Sequence, residues 1–181
     1  NDAFRSFYGR LPVEHVFCLL YFHRKGRVQH LIHKLKYRGR EEIGVMLAEW
    51  TSSKIENLDW ISTVDYIVPV PMHPKKMRQR GYNQVTTYGQ TLSERFGIQY
   101  DDSILKKTVT SKSQSRKTFL ERMMSKDKGF AVHYDQQHHG KHFLIVDDIL
   151  TTGATLESCG KALMEIPEVK ISIVTMAMTS R

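Results

Sequence analysis

The sequence predicts an α/β fold in which a central, mostly parallel sheet is flanked by helices. Three observations carry that expectation. Short apolar or β-rich runs at residues 65–70, 143–146 and 169–178 have the length of buried strands, and they alternate with segments of helical period. The run ending at Val146 delivers two acids, Asp147 and Asp148, followed by a small-residue turn and a helical pattern, the order of a strand, its ligand-side turn and a crossover helix. A chain of 181 residues with 40% hydrophobic and 25% charged residues has the composition of one ordinary globular domain, which disfavours disordered, collagen-like and repeat classes.

The elements follow in chain order. Residues 1–60 read as helical and are assigned to an N-terminal helical hood; residues 61–181 form the core of what is expected to be one compact domain. Residues 3–21 have no clean period and are left unassigned. Val28, Leu31, Ile32 and Leu35 fall at i, i+3, i+4 and i+7, and Ile43, Met46, Leu47 and Trp50 repeat that spacing after a break at Gly39. Two amphipathic faces need a partner, so the hood is expected over the C-terminal edge of the sheet. Residues 65–70 read as a parallel strand entering a rigid loop stiffened by Pro69, Pro71 and Pro74. A third helix follows Gly81, with Val85, Tyr88 and Leu92 on one face, Asn83 as N-cap and Gly97 at its end.

Residues 106–128 are rich in Lys, Arg and Ser with few apolar positions, the composition of a mobile functional loop or of disorder. Residues 130–132 read as a strand, 136–142 as a surface turn and 143–146 as an apolar strand ending at the two acids. A helix over 156–164 and a last strand over 169–178 complete the chain.

Composition also bounds function. Lys plus Arg number 27 against 19 Asp plus Glu, a net charge of +8, which points to nucleic acid or a phosphorylated small molecule as partner. No apolar run approaches the roughly 20 residues that span a bilayer, so no membrane span is expected. The chain opens at Asn1 without a basic-then-apolar leader, and its two cysteines, Cys18 and Cys159, cannot build a disulfide scaffold. Both cysteines read as small buried hydrophobes in a reducing, cytoplasmic setting.

The most informative string is Val146-Asp147-Asp148-Ile149-Leu150-Thr151-Thr152-Gly153-Ala154-Thr155. Its turn offers backbone N–H groups at a helix N-terminus, Gly153 permits close approach, and the threonines add hydroxyl donors, a combination suited to phosphate. Acids beside an anion cradle would repel the ligand unless they face its hydroxyls or a metal. A sugar phosphate meets both demands. Neither the Gly-x-x-x-x-Gly-Lys loop nor the dinucleotide Gly-x-Gly-x-x-Gly pattern is present. His30 and His33 lack a third ligand nearby, and His138, His139 and His142 read as a surface turn rather than a zinc site.

This string resembles the phosphoribosyl pyrophosphate (PRPP) motif of type I phosphoribosyltransferases. The resemblance implies that fold, with Asp147 and Asp148 on the ribose 2′- and 3′-hydroxyls and the 5′-phosphate on Thr151, Thr152, Gly153, Ala154 and Thr155. A second block, Val68-Pro69-Val70-Pro71-Met72-His73-Pro74 followed by Lys75, Lys76, Arg78, Arg80, Gly81, Tyr82, Asn83 and Gln84, resembles the ComF branch of competence-associated proteins. So do Leu35-Lys36-Tyr37-Arg38-Gly39 and the run from Thr110 through Gln114 to Arg122. Two features depart from that branch: its N-terminal Cys-x-x-Cys zinc module is not in this sequence, as in a chain lacking its N-terminus, and Ser125 stands where Asn is usual.

The resemblance implies pyrophosphate binding by Pro71, Met72, Lys75, Lys76, Arg78 and Arg80, whose cations suit phosphate oxygens. It further implies a loop closing over PRPP, in which Lys107, Arg116 and Arg122 neutralise the leaving pyrophosphate. Mg²⁺ would be held mainly by substrate oxygens, with no direct protein ligand. The expected activity is transfer of ribose 5-phosphate from PRPP to a nitrogen nucleophile. Purine-salvage relatives place an Asp where Thr151 stands, so a hypoxanthine or guanine acceptor is not expected. The alternative is a weakly catalytic or non-catalytic module that binds single-stranded DNA through Lys34, Lys36, Arg38 and Arg40 with Tyr37 interleaved; a homodimer is a further partner expectation.

Overall fold

The computed structural model describes residues 2–23, 26–108 and 129–179. A five-stranded parallel sheet runs through the molecule in the order β1 (Val16–Phe22), β7 (Lys170–Thr179), β6 (His142–Leu150), β2 (Tyr66–Pro69) and β3 (Gln99–Tyr100). Alternation along β6 divides the core. Phe143 and Ile145 face one side, with Phe7, Leu11 and the buried residues of α6 (Ala154–Leu163). Leu144 and Val146 face the other, with α2 (Arg27–Tyr37), α3 (Glu42–Ile55) and α5 (Thr86–Phe96). A short helix α1 (Asp2–Arg5) precedes β1, α4 (Pro74–Arg80) follows β2, and β4 (Leu105–Lys107) pairs antiparallel with β5 (Phe130–Val132). Among the described residues no helix is long and apolar enough to cross a membrane.

The order of the strands fixes where a ligand can sit. After β2 the chain returns to the sheet as β3 on one side of β2, whereas after β6 it returns as β7 on the opposite side. The two crossovers diverge, leaving a crevice between the C-terminal ends of β2 and β6, the topological switch point of an open parallel sheet.

Four expectations change. The first sixty residues are not all helical, because β1 joins the sheet as an edge strand beside β7. Its sequence, VFCLLYF, is apolar throughout and therefore has no period to read. Second, α3 presents Ile43, Gly44, Leu47, Ala48, Thr51, Ser52 and Ile55 to the core, while Met46 and Trp50 are each 46% exposed. Gly44, Ala48 and Ser52 are small and four apart, which brings α5 close: a Cβ on Gly44 would lie 2.3 Å from Thr87 Oγ1. Counting large apolar residues overlooks such a stripe. Third, the proline-rich stretch is a rigid loop only to His73, where α4 begins with Pro74 in its first turn.

Fourth, the histidine-rich turn is a surface turn whose histidines do not all face solvent: His139 is exposed, but two others point inward. His138 and His142 are buried, and His142 bridges Thr63 Oγ1 (3.0 Å) and Ser172 Oγ (2.8 Å). Its strand begins at His142 and continues past the two acids to Leu150. The hood expectation is refined as well: α3 lies on the sheet face, and only the end of α2 reaches the C-terminal edge. Cys159 is fully buried and Cys18 half-buried, the Cys18 thiol pushed up to about 11 by burial against a hydrogen bond from Thr175.

Candidate functional site

The crevice between β2 and β6 opens into a cleft of about 370 Å³. Its first wall is the chain leaving β2. Val70 still donates to Val146 O (3.0 Å), and Val70 O accepts from the buried Asn83 Nδ2 (3.0 Å). Asn83 is thus not the N-cap of α5, which begins at Thr86; it fixes the loop instead, with Thr86 N on its own carbonyl. Pro71, Met72, Lys76 and Arg80 line the cleft, whereas Lys75 and Arg78 lie on exposed faces of α4 and do not.

The second wall is the end of β6. Successive residues of a strand face opposite sides, so Asp147 and Asp148 diverge although both line the cleft. Asp148 turns toward α2 and α5 and is 5% exposed, its Oδ2 accepting from Lys36 Nζ (2.9 Å) and Gln84 Nε2 (2.6 Å). Asp147 turns to the α6 side, where its Oδ1 accepts from the Asp148 amide (2.9 Å). Burial, and next the charge on Asp148, push the Asp147 carboxyl well above the usual carboxylate range.

From Gln84 the network continues outward. Arg80 Nη1 donates to Gln84 Oε1 (2.8 Å), Nη2 donates to Tyr37 Oη (3.1 Å), and the guanidinium lies 4.7 Å over the Tyr37 ring. Tyr82 Oη donates to Leu35 O. The end of α2, the 80–84 segment and the second acid therefore form one connected unit.

Beyond β6, Thr151 and Thr155 line the cleft, while Thr152, Gly153 and Ala154 complete the turn behind them. Gly153 is the N-cap of α6 at φ 79°, left-handed backbone that favours glycine, and a Cβ there would lie 3.2 Å from Phe7 Cε1. The first N–H groups of α6 have no acceptor within the helix and point toward this turn. On the far side Lys107 closes the cleft, its Nζ 3.8 Å over the Phe130 ring. Arg116, Arg122 and the rest of residues 109–128, including Thr110, Gln114 and Ser125, lie outside the described residues.

The structure thus brings together Asp147, Asp148, Thr151, Thr155, Pro71, Met72, Lys76, Arg80 and Lys107. Sequence reasoning missed Lys36 and Gln84 as partners of Asp148. Lys36, within the basic strip of the sequence, points inward and Arg40 pairs with Glu42, so among the described residues Lys34 and Arg38 are the exposed cations of that strip outside an ion pair. The available signal was the Leu35-Lys36-Tyr37-Arg38-Gly39 element itself. Among the described residues no three His, Cys, Asp or Glu side chains gather as a metal site.

The family profile described as the phosphoribosyl transferase domain matches residues 87–180. The chain is 29% identical over 138 residues to DNA utilization protein YhgH of Escherichia coli, covering 74% of this chain and 60% of that protein. It is 27% identical over 108 residues to Competence protein F of Haemophilus influenzae, covering 59% of this chain and 47% of the relative. The chain therefore spans about 60% or less of these relatives' length. Among solved structures, adenine phosphoribosyltransferase from Saccharomyces cerevisiae is 16% identical with a TM-score of 0.46, covering 78% of this chain and 69% of that one.

Proposed function

Because the chain belongs to the phosphoribosyl transferase family, in its ComF branch, we propose that the cleft binds PRPP and transfers its ribose 5-phosphate to a nitrogen nucleophile. The observation that carries this reading is the position of an acid pair and a phosphate-type turn on one strand end, facing a cation-lined loop across the switch point. The 5′-phosphate lies on Thr151, Thr152, Gly153, Ala154 and Thr155, and the ribose diol on Asp147 and Asp148. The pyrophosphate lies on the 71–80 segment with Lys76 and Arg80 as its cations, Lys75 and Arg78 contributing longer-range charge. Lys107 faces it from the opposite wall.

In the reaction the bond from the anomeric carbon to the pyrophosphate oxygen breaks, a carbon–nitrogen bond forms, and the nitrogen releases its proton. The protein's part is positioning and stabilisation of the departing negative charge. Hard carboxylate and hydroxyl oxygens suit Mg²⁺, but Lys36 and Gln84 already occupy Asp148 Oδ2. The ion would accordingly be carried by substrate oxygens, where it neutralises pyrophosphate. The two free thiols fit a reducing, cytoplasmic setting.

A second reading, contact with single-stranded DNA, draws on the +8 charge and on the printed names of the relatives. The inward turn of Lys36 leaves that surface less continuous than the sequence suggests. Calorimetry decides between the two. Binding of PRPP with Mg²⁺, lost in Asp147→Asn/Asp148→Asn, supports the first; a salt-dependent DNA shift with no PRPP heat supports the second.

A further inference from the structure

We infer that Arg10, in the segment between α1 and β1, is a positioning residue for the turn after β6, holding its backbone and screening Glu157 from the anion bound there. The inference rests on the reading of that turn as a 5′-phosphate site. Arg10 does not line the cleft, so it acts through the turn. Its Nη1 donates to Ser6 O (3.0 Å) and Thr152 O (3.0 Å), and its Nη2 pairs with the Glu157 carboxylate. One guanidinium thereby joins a backbone carbonyl of its own N-terminal segment to a backbone carbonyl and a carboxylate more than 140 residues away. A planar fork with several fixed donors suits this task; a single ammonium does not.

Glu157 supplies the reason such a clamp is needed. It lies in the first turns of α6, where an acid is normally favoured by the helix dipole. A phosphate drawn to the same helix end meets that acid as a like charge. The Glu157 carboxyl is held below its usual range by the hydrogen bond from Lys161 and, against its partial burial, by Arg10. It stays ionised at neutral pH, and its charge must be offset for the turn to accept a dianion.

Packing makes the same connection. Phe7 sits against Gly153, and Leu11 sits so close to Gly160 that a Cβ there would lie 2.3 Å from Leu11 Cδ2. The N-terminal segment therefore rests on α6 at two positions that have no side chain. It cannot shift without moving the turn.

The test uses ribose 5-phosphate and inorganic pyrophosphate with Mg²⁺ as calorimetric probes on the whole chain. Arg10→Ala is expected to weaken ribose 5-phosphate about tenfold, the factor that corresponds to one charge-assisted hydrogen bond, and to leave pyrophosphate affinity within about twofold. In the Glu157→Gln background the same change should cost no more than about threefold, since the charge to be screened is gone. Arg10→Lys keeps the charge and should retain part of the affinity. Equal loss of both probes, with a large fall in thermal midpoint, would mean Arg10 serves only the fold and overturns the inference. So would an unchanged ribose 5-phosphate affinity in Arg10→Ala, or a full tenfold cost in the Glu157→Gln background. A wild-type protein that binds pyrophosphate but not ribose 5-phosphate overturns the reading of the turn itself, a separate outcome.

Discussion

Replacing Lys36 by methionine removes the cation that pairs with the second acid among the described residues, while keeping most of the side chain's volume. At the observed 2.9 Å, two unit charges attract by roughly 6 kcal/mol at an effective dielectric constant of about 20. Desolvating both groups offsets much of that gross attraction. Asp148 is 5% exposed and would keep Gln84 Nε2, while 22% of the Lys36 side chain meets solvent, so water can occupy part of the vacated space. The net loss of stability should be about 2 kcal/mol, read as a lower urea midpoint at unchanged slope. A second readout concerns the ligand. Lys36 also lowers the Asp147 pKa, so its removal favours proton uptake by Asp147. A protonated Asp147 accepts diol hydrogen bonds poorly. Ribose 5-phosphate should bind about tenfold more weakly, with inorganic phosphate unaffected. A variant within about 0.5 kcal/mol of wild type, the range of ordinary surface changes, and with the same ribose 5-phosphate affinity, would refute the idea that Lys36 belongs to the site.

Two further outcomes follow from the same geometry. The folded protein holds the Asp147 proton more tightly than the unfolded chain does, because burial and Asp148 raise its pKa. Stability should therefore fall as pH rises above about 4, the unfolded carboxyl value, until the folded group has ionised. Asp147→Asn should flatten that decline, and identical pH profiles of urea midpoints in the two proteins would contradict the assignment. Gly153→Ala places a Cβ on left-handed backbone against Phe7 and should cost about 1–2 kcal/mol of stability while weakening ribose 5-phosphate further than pyrophosphate. Equal weakening of both probes would count against the turn as the phosphate site.

What the sequence revealed and what it hid have physical causes. The β6 string was legible because its chemistry is local: strand, acids, turn and helix are consecutive, so one reading places them all. Loop residues after β2 were half legible. The cations were visible, but only helix formation at Pro74 decides that Lys76 and Arg80 face the cleft while Lys75 and Arg78 do not. Lys36, Gln84 and Arg10 were illegible in their roles, because each acts on a residue 64 to 147 positions away. β1 was missed because an uninterrupted apolar run has no alternation to read, and the α3 face because its buried positions include glycine, alanine and serine, with Gly44 close against Thr87 of α5.

The central claim is that a ribose phosphate sits across the switch point, phosphate on the turn after β6 and diol at the paired acids. A crystal of the protein grown with ribose 5-phosphate tests it most directly. The account predicts phosphate density within hydrogen-bonding distance of the Thr151 and Thr155 hydroxyls and the backbone amides at the start of α6, with the ribose hydroxyls against Asp147 and Asp148. Density at another surface with that turn empty, or a phosphate seated among Lys76 and Arg80 with the sugar turned away from the acids, would contradict it.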